Sequence, residues 1–338
     1  MSAVSFTQFV REQWLHLPLA VSTETCSGGT YIVTGANTGL GLEAARHLAG
    51  VGAKKVVLGV RNMKSGEEAK VDIEKTSKTR GIVEVWPLDL SSCASVKAFS
   101  KRAIQELDRI DAVIENAGVA YNAYKSIEGH EESVVINVLN TFLLAVLLFP
   151  KLEDAAKKFN ILPHLVIISS ETAFMANART ELSKVQSDPL RKMDDEKLAD
   201  MSARYPFTKL IQVLAARQLA SLLPVEQRRV VINYVNPGLC KTGLSRHVGI
   251  VQRLQINMAK NLLGRTAEQG SRNLLYGAVA AKESHGCYVG NCEIEDDRVP
   301  DWITDAKGRK TQQRVWDDIA QELEKIEPGC IQRLEGSH

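Results

Sequence analysis

The chain has 338 residues, enough for one large α/β domain or two small ones, and 44% hydrophobic with 24% charged residues is an ordinary globular composition. A formal net charge of +2 makes no electrostatic case for a nucleic-acid partner. Of the six cysteines only Cys287 and Cys292 are close in sequence, which excludes a dense disulfide framework and the paired spacing of a zinc site. We therefore expect a reduced, cytoplasmic protein without a bound metal.

The N-terminal residues and the most apolar run bear on targeting and membranes. Residues 1–28 lack the apolar core of a signal peptide, and a helical pattern over residues 5–15 predicts an N-terminal extension beside the main domain. The most apolar run, residues 134–149, is interrupted by polar residues such as Asn137 and ends at Pro150. Such a run is too short and too polar to cross a bilayer, so it predicts a buried helix and no stable membrane insertion.

From residue 29 onward, apolar runs that predict strands alternate with amphipathic patterns that predict helices. The predicted strands are Tyr31–Val33, Lys55–Val60, Ile82–Leu88, Ile110–Glu115, Leu165–Ser169, Val230–Val235 and Tyr288–Val289, and the predicted helices are the segment after Gly39 and residues 66–78, 92–107, 131–158, 206–222 and 311–326. The alternation predicts an α/β fold, a doubly wound parallel sheet flanked by helices. Because no linker is evident, we expect a single domain over residues 29–290 and a C-terminal extension, 291–338, that packs on it.

The first predicted strand runs into three glycines, Gly35, Gly39 and Gly41, and then into a helix. The first glycine permits a sharp turn, the second lets the backbone approach a pyrophosphate, and the third lets the helix pack close to the strand. A helix N-terminus offers unpaired N–H groups and the positive end of the macrodipole, both of which favour a phosphate. The motif predicts a Rossmann-type nucleotide-binding turn, although an ordinary glycine-rich turn has the same three residues.

Two segments do not fit the alternation: residues 171–203, and residues 239–265 after Pro237-Gly238. Long loops at the carboxyl ends of parallel strands usually belong to binding sites. We therefore expect residues 171–203, with a short helix at Asp194–Met201, to cover a substrate mouth, and residues 239–265 to form a lid. A solvated excursion is the alternative for the first segment.

Tyr205 and Lys209 place a phenol and an ammonium on one face of a predicted helix, about one turn apart. Because a free tyrosine has a pKa of about 10, acid–base work near neutrality asks for a shift of roughly three units. A nearby lysine cation is the kind of neighbour that lowers a phenol pKa. Such pairs are also common on helix surfaces, so this pair carries weight only through its place among the other motifs.

Several motifs follow one another in a fixed order: Thr34-Gly35-(x)3-Gly39-x-Gly41, Asn116-Ala117-Gly118, Asn137, Ser169-Ser170, Tyr205-(x)3-Lys209 and Pro237-Gly238. On these motifs residues 29–290 resemble the short-chain dehydrogenase/reductase superfamily. The glycine stretch and Gly59-Val60-Arg61-Asn62 look most like its retinol dehydrogenase and WW-domain oxidoreductase branch. The section from Ser284 through Trp316 looks like fungal members of that branch, many of them associated with secondary metabolism.

The resemblance implies a catalytic group made of Tyr205, Lys209, Ser170 and Asn137. Tyr205 would protonate the nascent alkoxide in reduction and accept the proton in oxidation, while Lys209 would bind the nicotinamide ribose and lower the pKa of Tyr205. Ser170 would hydrogen-bond the carbonyl oxygen, with its neighbour Ser169 as the alternative. Asn137 would hold a water in a proton relay to the lysine.

The resemblance also implies the residues that bind the cofactor. They are Gly35, Asn37, Thr38, Gly39, Leu40 and Gly41 in the turn, Asp89 and Leu90 at the adenine, Asn116, Ala117 and Gly118 along the cofactor, Tyr205 and Lys209, and Pro237, Gly238 and Thr242 at the nicotinamide. At the end of the second strand an acidic residue would hold the ribose 2′-hydroxyl of NAD(H), whereas an arginine can pair with a 2′-phosphate. The chain has Arg61 there, with Lys64 nearby, so we predict NADP(H) as the cofactor.

The chain departs from the family pattern at three places. Glu115 stands where an asparagine is usual, Asn140 replaces a common glycine, and Ser170 and Tyr205 are 35 positions apart (205 minus 170), more than in classical members. We expect the long gap to loop out and to enlarge or cover the substrate mouth. We expect Glu115 to weaken a helix-stabilising hydrogen-bond network without removing a reacting group.

These observations predict an NADP(H)-dependent oxidoreductase that transfers hydride between nicotinamide and a carbonyl or hydroxyl of a small molecule. Apolar residues in the two irregular segments, among them Phe174, Met175, Leu244 and Leu254, favour a medium-sized lipophilic substrate, and a reductase of secondary, polyketide-like metabolism is the leading hypothesis. The alternatives are a redox-neutral isomerisation, epimerisation or cyclisation in the same pocket, and a non-catalytic, cofactor-bound regulatory protein. A homo-oligomer is compatible with the sequence.

Overall fold

The computed structural model describes residues 6–184, 189–244 and 249–336, and within these residues eight strands form a central sheet and two short strands form a separate hairpin. In chain order the strands are β1 (Thr30–Thr34), β2 (Lys55–Val60), β3 (Val83–Pro87), β4 (Ala112–Glu115), β5 (Ser126–Ile127), β6 (His130–Glu131), β7 (His164–Ile168), β8 (Val231–Val235), β9 (Tyr288–Gly290) and β10 (Glu293–Ile294). The order across the sheet is β10-β9-β8-β7-β4-β1-β2-β3, and β5 pairs with β6. All neighbours in the central sheet are parallel except β9 and β10.

The sheet changes its direction of winding at β1, which lies between β2 and β4. In an open α/β sheet, ligands bind in the crevice outside the carboxyl ends of the strands at such a switch point. Every residue of β1, β7 and β8 is buried, as expected for parallel strands covered on both faces. The predicted doubly wound sheet is therefore confirmed, and its switch point locates the crevice.

Helices cover both faces of the sheet. In chain order they are α1 (Phe6–Gln13), α2 (Thr23–Cys26), α3 (Gly39–Gly50), α4 (Met63–Ser77), α5 (Cys93–Glu106), α6 (Glu132–Val134), α7 (Asn140–Phe159), α8 (Ala176–Lys184), α9 (Pro189–Met193), α10 (Arg204–Leu222), α11 (Val225–Arg228), α12 (Ile250–Leu263), α13 (Ala267–Val279), α14 (Asp301–Thr304), α15 (Ala306–Ile326) and α16 (Cys330–Glu335). One core packs α3, α4 and α13 against the sheet, and a second core packs α5, α7, α10 and α15 against the opposite face.

A π-helical turn, Val135–Leu139, joins α6 to α7 and carries Asn137 at its centre. Such turns are rare and often occur at functional sites. The whole stretch Glu132–Phe159 is long and apolar enough to cross a membrane, but 89% of its apolar window is buried within this fold. It is therefore placed as the central helix of one core, in agreement with the sequence prediction.

The two predicted extensions make specific contacts with each other and with the rest of the chain. In the N-terminal extension a Glu12 carboxylate oxygen lies 3.0 Å from the Arg298 guanidinium, and Arg265 donates to the Glu12 main-chain oxygen at 2.6 Å. Arg298 also pairs with Glu171, the residue after Ser170, at 3.0 Å. In the C-terminal extension Trp316 of α15 is buried against Phe142 of α7. The N-terminal extension is thereby tied to the carboxyl-end edge of the sheet.

The structure corrects the prediction for residues 171–203. Asp194–Met201 forms turns rather than a helix, and the helices of this segment are α8 and α9, which precede it. Side chains explain the difference, because Asp195 accepts from the backbone N–H of Lys197 and Asp200 from that of Ser202, bonds that compete with a helix. Residues 185–188 and 245–248, which belong to the two irregular segments, and residues 1–5 lie outside the described residues.

Candidate active site

The glycine turn between β1 and α3 has the shape of a phosphate cradle. Gly35 and Gly39 have φ values of +64° and +62°, in the left-handed region that favours glycine. At Gly41 a Cβ atom would lie 2.6 Å from the Asn116 side-chain amide, so only glycine lets the helix approach this closely. Within the described residues the N-cap residue Thr38 makes no side-chain capping bond, which leaves the first N–H groups of α3 for an anion.

The loop after β4 forms the wall beside this turn. Asn116 donates from its side chain to the Thr34 main-chain oxygen at 2.8 Å, and Ala117 donates from its backbone to the Thr34 hydroxyl at 2.9 Å. At Gly118 a Cβ atom would lie 3.2 Å from Asn137 Oδ1 and 3.7 Å from Lys209 Nζ. Gly118 therefore lies directly against the Asn137 and Lys209 side chains.

The loop after β8 closes the opposite side. Gly238 has a φ of +79°, and its backbone N–H donates to Asn236 Oδ1 at 3.1 Å, while the Pro237 main-chain oxygen accepts from Arg265 at 3.2 Å. Thr242 reaches the glycine turn, since its Cγ2 lies 3.5 Å from the point where a Cβ of Gly39 would stand. The structure thus brings the predicted nicotinamide loop against the predicted pyrophosphate turn.

The residues predicted at the adenosine end lie at the ends of β2 and β3. Arg61 is exposed and makes no ion pair with any residue that the structure describes, so its guanidinium is accessible. Asp89 Oδ1 accepts from the backbone and hydroxyl of Ser91 at 2.9 and 2.7 Å. Leu90 is buried, and its main-chain oxygen accepts from Asn140 at 2.8 Å.

Two further predicted residues belong to the glycine turn. Asn37 donates a hydrogen bond to Ser65 of α4 and so links the turn to that helix. Leu40 packs against the core under α3.

Ser170 and Tyr205 face each other at the carboxyl end of β7. The Ser170 hydroxyl is close enough to the Tyr205 phenol to lower its pKa, although 35 positions separate the two residues in the chain. The Ser170 hydroxyl also accepts from the backbone and hydroxyl of Thr172, at 3.3 and 3.0 Å. Ser169 points the other way, and its hydroxyl donates to the Lys209 main-chain oxygen at 3.2 Å. The intervening segment therefore loops out without separating the pair, and Ser170 rather than Ser169 meets the phenol.

Lys209 lies one helical turn beyond Tyr205, with its Nζ 5.6 Å from the centre of the phenol ring. The Nζ donates to the Ile168 main-chain oxygen at 2.7 Å and to Gln212 Oε1 at 2.9 Å. In its ammonium form Lys209 has three N–H donors, so one is left for a ligand hydroxyl. Gln212 was not among the predicted site residues, and the only signal for it is a lone polar residue in the apolar run of α10.

Asn137 is held by several hydrogen bonds. Its Oδ1 accepts from the Val119 backbone at 2.9 Å, and its Nδ2 donates to the Val119 main-chain oxygen at 2.9 Å and to the Thr208 hydroxyl at 3.1 Å. Its main-chain oxygen accepts from Gln212 Nε2 at 2.5 Å. Asn137 is thus linked to Lys209 through the side chain of Gln212.

Burial dominates the electrostatics of the catalytic group. It raises the pKa of Tyr205 to about 12, and the hydrogen bond with Ser170 acts in the opposite direction. Burial also lowers the pKa of Lys209 to about 7. The resemblance implies that Lys209 lowers the pKa of Tyr205. In the chain by itself the Tyr205 pKa is raised instead, because burial would leave the phenolate poorly solvated.

Glu115, the first departure from the family pattern, is a buried carboxyl group at the end of β4. It is 2% exposed, and neither carboxyl oxygen has a hydrogen-bond partner in the part of the chain that the structure describes. Burial raises the pKa of Glu115 well above its usual range, which favours the neutral form of the carboxyl group. This agrees with the expected loss of a stabilising network there.

Of the apolar residues predicted around the substrate, Phe174 is partly buried and contacts the sheet. Its ring packs edge-on against Tyr288, at 5.4 Å between centroids, because the turn Glu171–Phe174 folds back on the sheet. Met175 and Leu254 are exposed, and Leu244 is at the border of exposure. The role of these residues in binding a substrate stays a prediction.

The parts of the site fit a dinucleotide cofactor. The glycine turn and the N-terminus of α3 suit its pyrophosphate, the Arg61 guanidinium is accessible, and the Lys209 ammonium has one N–H left to donate. A doubly wound sheet with this turn at its switch point and a Ser–Tyr–Lys group beside it defines a nucleotide-dependent oxidoreductase. Residues 30–182 match the family model described as short chain dehydrogenase.

Two fungal proteins are similar over most of their length. The chain is 39% identical over 316 residues to the short chain dehydrogenase/reductase dmxR8 of Cryptosporiopsis sp., covering 92% of this chain and 95% of that protein. It is also 39% identical over 291 residues to the short chain dehydrogenase atnD of Emericella nidulans, covering 84% and 90%. The chain therefore belongs to the short-chain dehydrogenase/reductase family, whose members bind a nicotinamide cofactor, and it is an oxidoreductase. The closer likeness to the retinol dehydrogenase branch stays a prediction.

Solved structures share the fold at lower identity. A short chain dehydrogenase from Shigella flexneri complexed with NADP superimposes with a TM-score of 0.59 at 19% identity, covering 80% of this chain and 100% of that chain. A 3-ketoacyl-(acyl-carrier-protein) reductase from Brucella melitensis complexed with NADH gives 0.58 at 18% identity, covering 78% and 96%. The same fold thus accommodates either nucleotide, and the choice depends on local residues.

Proposed function

We propose that this oxidoreductase is an NADP(H)-dependent reductase that acts on the carbonyl group of a medium-sized lipophilic molecule of secondary metabolism. The observation that carries the proposal is the neighbouring Ser170 and Tyr205 hydroxyls beside Lys209, at the crevice that the glycine turn opens. Two hydroxyl groups that converge on one point suit a carbonyl oxygen on which negative charge develops. The fungal relatives support the metabolic setting.

A bound nicotinamide cofactor would supply the hydride. The Ser170 hydroxyl would donate a hydrogen bond to the substrate oxygen, and the Tyr205 hydroxyl would transfer its proton to the same oxygen as the alkoxide forms. With a pKa of about 12, Tyr205 is protonated at neutral pH, which is the state that an acid needs. Lys209 would use its remaining N–H on a ribose hydroxyl and stabilise the phenolate left behind.

Arg61 supports NADP(H) over NAD(H). It follows β2, where the adenosine ribose lies in doubly wound nucleotide-binding folds, and its exposed guanidinium can pair with a 2′-phosphate. Asn62 follows it and caps α4, so no carboxylate stands at this point to bind a free 2′-hydroxyl.

The cofactor assignment is tested with Arg61→Ala and, as a matched control, Arg80→Ala, which removes another exposed arginine from the loop before β3. Fluorescence titration should show the Kd for NADPH rising about 10- to 100-fold in Arg61→Ala, because charged hydrogen bonds to the phosphate are lost. The Kd for NADH should not change, and the control should resemble the wild type. An unchanged NADPH preference in Arg61→Ala would refute the role of Arg61.

The reaction is tested with Tyr205→Phe and, as a control for loss of a phenol hydroxyl, Tyr276→Phe on α13, at the other face of the sheet. Consumption of NADPH with aldehydes, ketones and polyketide-like carbonyls should fall about 10²- to 10⁴-fold in Tyr205→Phe at nearly constant NADPH affinity. Undiminished turnover would remove Tyr205 as the acid. A wild-type protein that binds NADPH but consumes none with any carbonyl would favour a redox-neutral or regulatory role.

A further inference from the structure

Gln212 connects two members of the catalytic group. It lies three residues after Lys209 on α10 and is 1% exposed. Its Oε1 accepts from Lys209 Nζ at 2.9 Å, and its Nε2 donates to the Asn137 main-chain oxygen at 2.5 Å. Ammonium groups only donate and carbonyl oxygens only accept, so the chemistry of the two partners fixes which end of the amide faces which.

The Asn137 end of this bridge is immobilised by the fold. The carbonyl belongs to the π-helical turn, and the Asn137 side chain is tied at both ends to the Val119 backbone. Thr208, next to Lys209 on α10, accepts a further bond from Asn137. The Gln212 amide therefore fixes the Lys209 ammonium relative to the π-helical turn. The other hydrogen-bond partner of this ammonium is the Ile168 main-chain oxygen.

A water between the same two groups would make the same two hydrogen bonds. The amide differs from water in one respect: it accepts at oxygen and donates from nitrogen, so it holds both partners without readily passing a proton from one to the other. The Gln212 amide thus makes, as a covalently attached group, the two contacts that the expected relay water would make. Such a group loses less freedom on binding than a water does, and its reach is set by the helix.

We infer that Gln212 is a positioning residue. It takes the place of a relay water and holds the Lys209 ammonium beside Gly118, in the loop after β4. The inference rests on the proposed function for its kinetic consequence only. The position of Lys209 in turn determines where its remaining N–H points. Gly118, which lacks a Cβ on that side, leaves the space 3.7 Å from Nζ open to a ribose hydroxyl.

Three variants separate the hydrogen-bonding role from simple packing. Gln212→Leu fills the space without polar atoms, Gln212→Ala leaves room for a water with polar partners on both sides, and Gln212→Glu keeps the shape of the side chain. Gln312→Leu is the matched control: Gln312 on α15 is also buried, but its amide donates to the Ile303 main-chain oxygen on α14 and not to a residue of the catalytic group.

The first readout does not depend on turnover. Lysine-labelled NMR of the full chain, with the Lys209 signal assigned by its loss in Lys209→Met, should show the Lys209 pKa falling by about one unit in Gln212→Leu, where a bond to the charged form is lost. It should fall less in Gln212→Ala and rise in Gln212→Glu, while Gln312→Leu should match the wild type. An unchanged Lys209 pKa in both Gln212→Leu and Gln212→Glu would overturn the inference, and the second variant guards against a folding defect in the first.

The second readout is NADPH-dependent reduction of a carbonyl substrate. We expect kcat/KM to fall about tenfold in Gln212→Leu and to be partly rescued in Gln212→Ala, although the alanine leaves the larger cavity and should be the less stable of the two. If kcat/KM instead fell further in the variant with the lower unfolding temperature, the result would contradict a positioning role for Gln212. If no carbonyl is reduced by the wild type while the NMR shifts occur as expected, the proposed reaction fails and the positioning of Lys209 by Gln212 stands.

Discussion

Substitution of Gly41 by alanine tests how far close packing at the cofactor turn is required. The new Cβ would lie 2.6 Å from the Asn116 side-chain amide, 3.0 Å from the Gly35 main-chain oxygen and 3.1 Å from Ala36 Cα. Moving Asn116 breaks its bond to Thr34, at a cost of about 1 kcal/mol, and the two backbone contacts add about 1–3 kcal/mol of overpacking. The higher helix propensity of alanine returns about 1 kcal/mol. The expected net destabilisation is therefore about 1–3 kcal/mol.

The matched control is Gly50→Ala at the other end of the same helix. There the nearest atom to a new Cβ is Ser77 Cβ at 3.9 Å, an ordinary contact, so we expect unchanged or slightly higher stability. Urea unfolding should separate the two variants, and NADPH titration should show a Kd about tenfold higher for Gly41→Ala only, equivalent to about 1.4 kcal/mol. If Gly41→Ala unfolds and binds NADPH like Gly50→Ala, the close approach of α3 to β4 is not what the turn requires.

Two further predictions concern neighbouring serines and a buried histidine. Ser170→Ala should lower kcat about 10²- to 10³-fold, because its hydroxyl lies beside the catalytic phenol and would bind the substrate oxygen. Ser169→Ala loses only a 3.2 Å bond to the α10 backbone, so it should cost about 1 kcal/mol of stability with little change in kcat. The hydrogen bond with Asp194 at 2.6 Å, helped by Glu322 at 3.3 Å, raises the pKa of His130, so its stabilising effect is complete below the unfolded value of about 6.5 and is lost as pH rises through the folded value. Urea unfolding at increasing pH should therefore show the wild type losing its advantage over His130→Gln.

Different outcomes would contradict these two predictions. Equal losses of kcat in the two serine variants would mean that both hydroxyls act on the substrate side. A constant difference in the free energy of unfolding between wild type and His130→Gln, from mildly acidic to mildly alkaline pH, would mean that the ion pairs around His130 do not titrate in this range.

The parallel strands could be predicted because they are buried on both faces and so consist of nearly continuous apolar runs, as in β1 and β8. Helix α13 escaped prediction for the opposite reason. Its buried face includes Gly270, Ser271 and Gly277, and at Gly277 a Cβ would lie 2.6 Å from Val235. A helix that packs this close to the sheet buries small residues, and these give little apolar periodicity.

The sequence by itself determined the chemical groups of the site. The spacing of Tyr205 and Lys209 follows from the pitch of a helix, and the glycines of the turn follow from local backbone geometry, so both can be recognised within a few residues. Only the tertiary structure decided that Ser170 rather than Ser169 meets the phenol, and that Gln212 joins Lys209 to Asn137. The hydrogen bond from Gln212 to Asn137 spans 75 positions in the chain. Such contacts depend on how β7, the π-helical turn and α10 pack together, and no local pattern of residues records that arrangement.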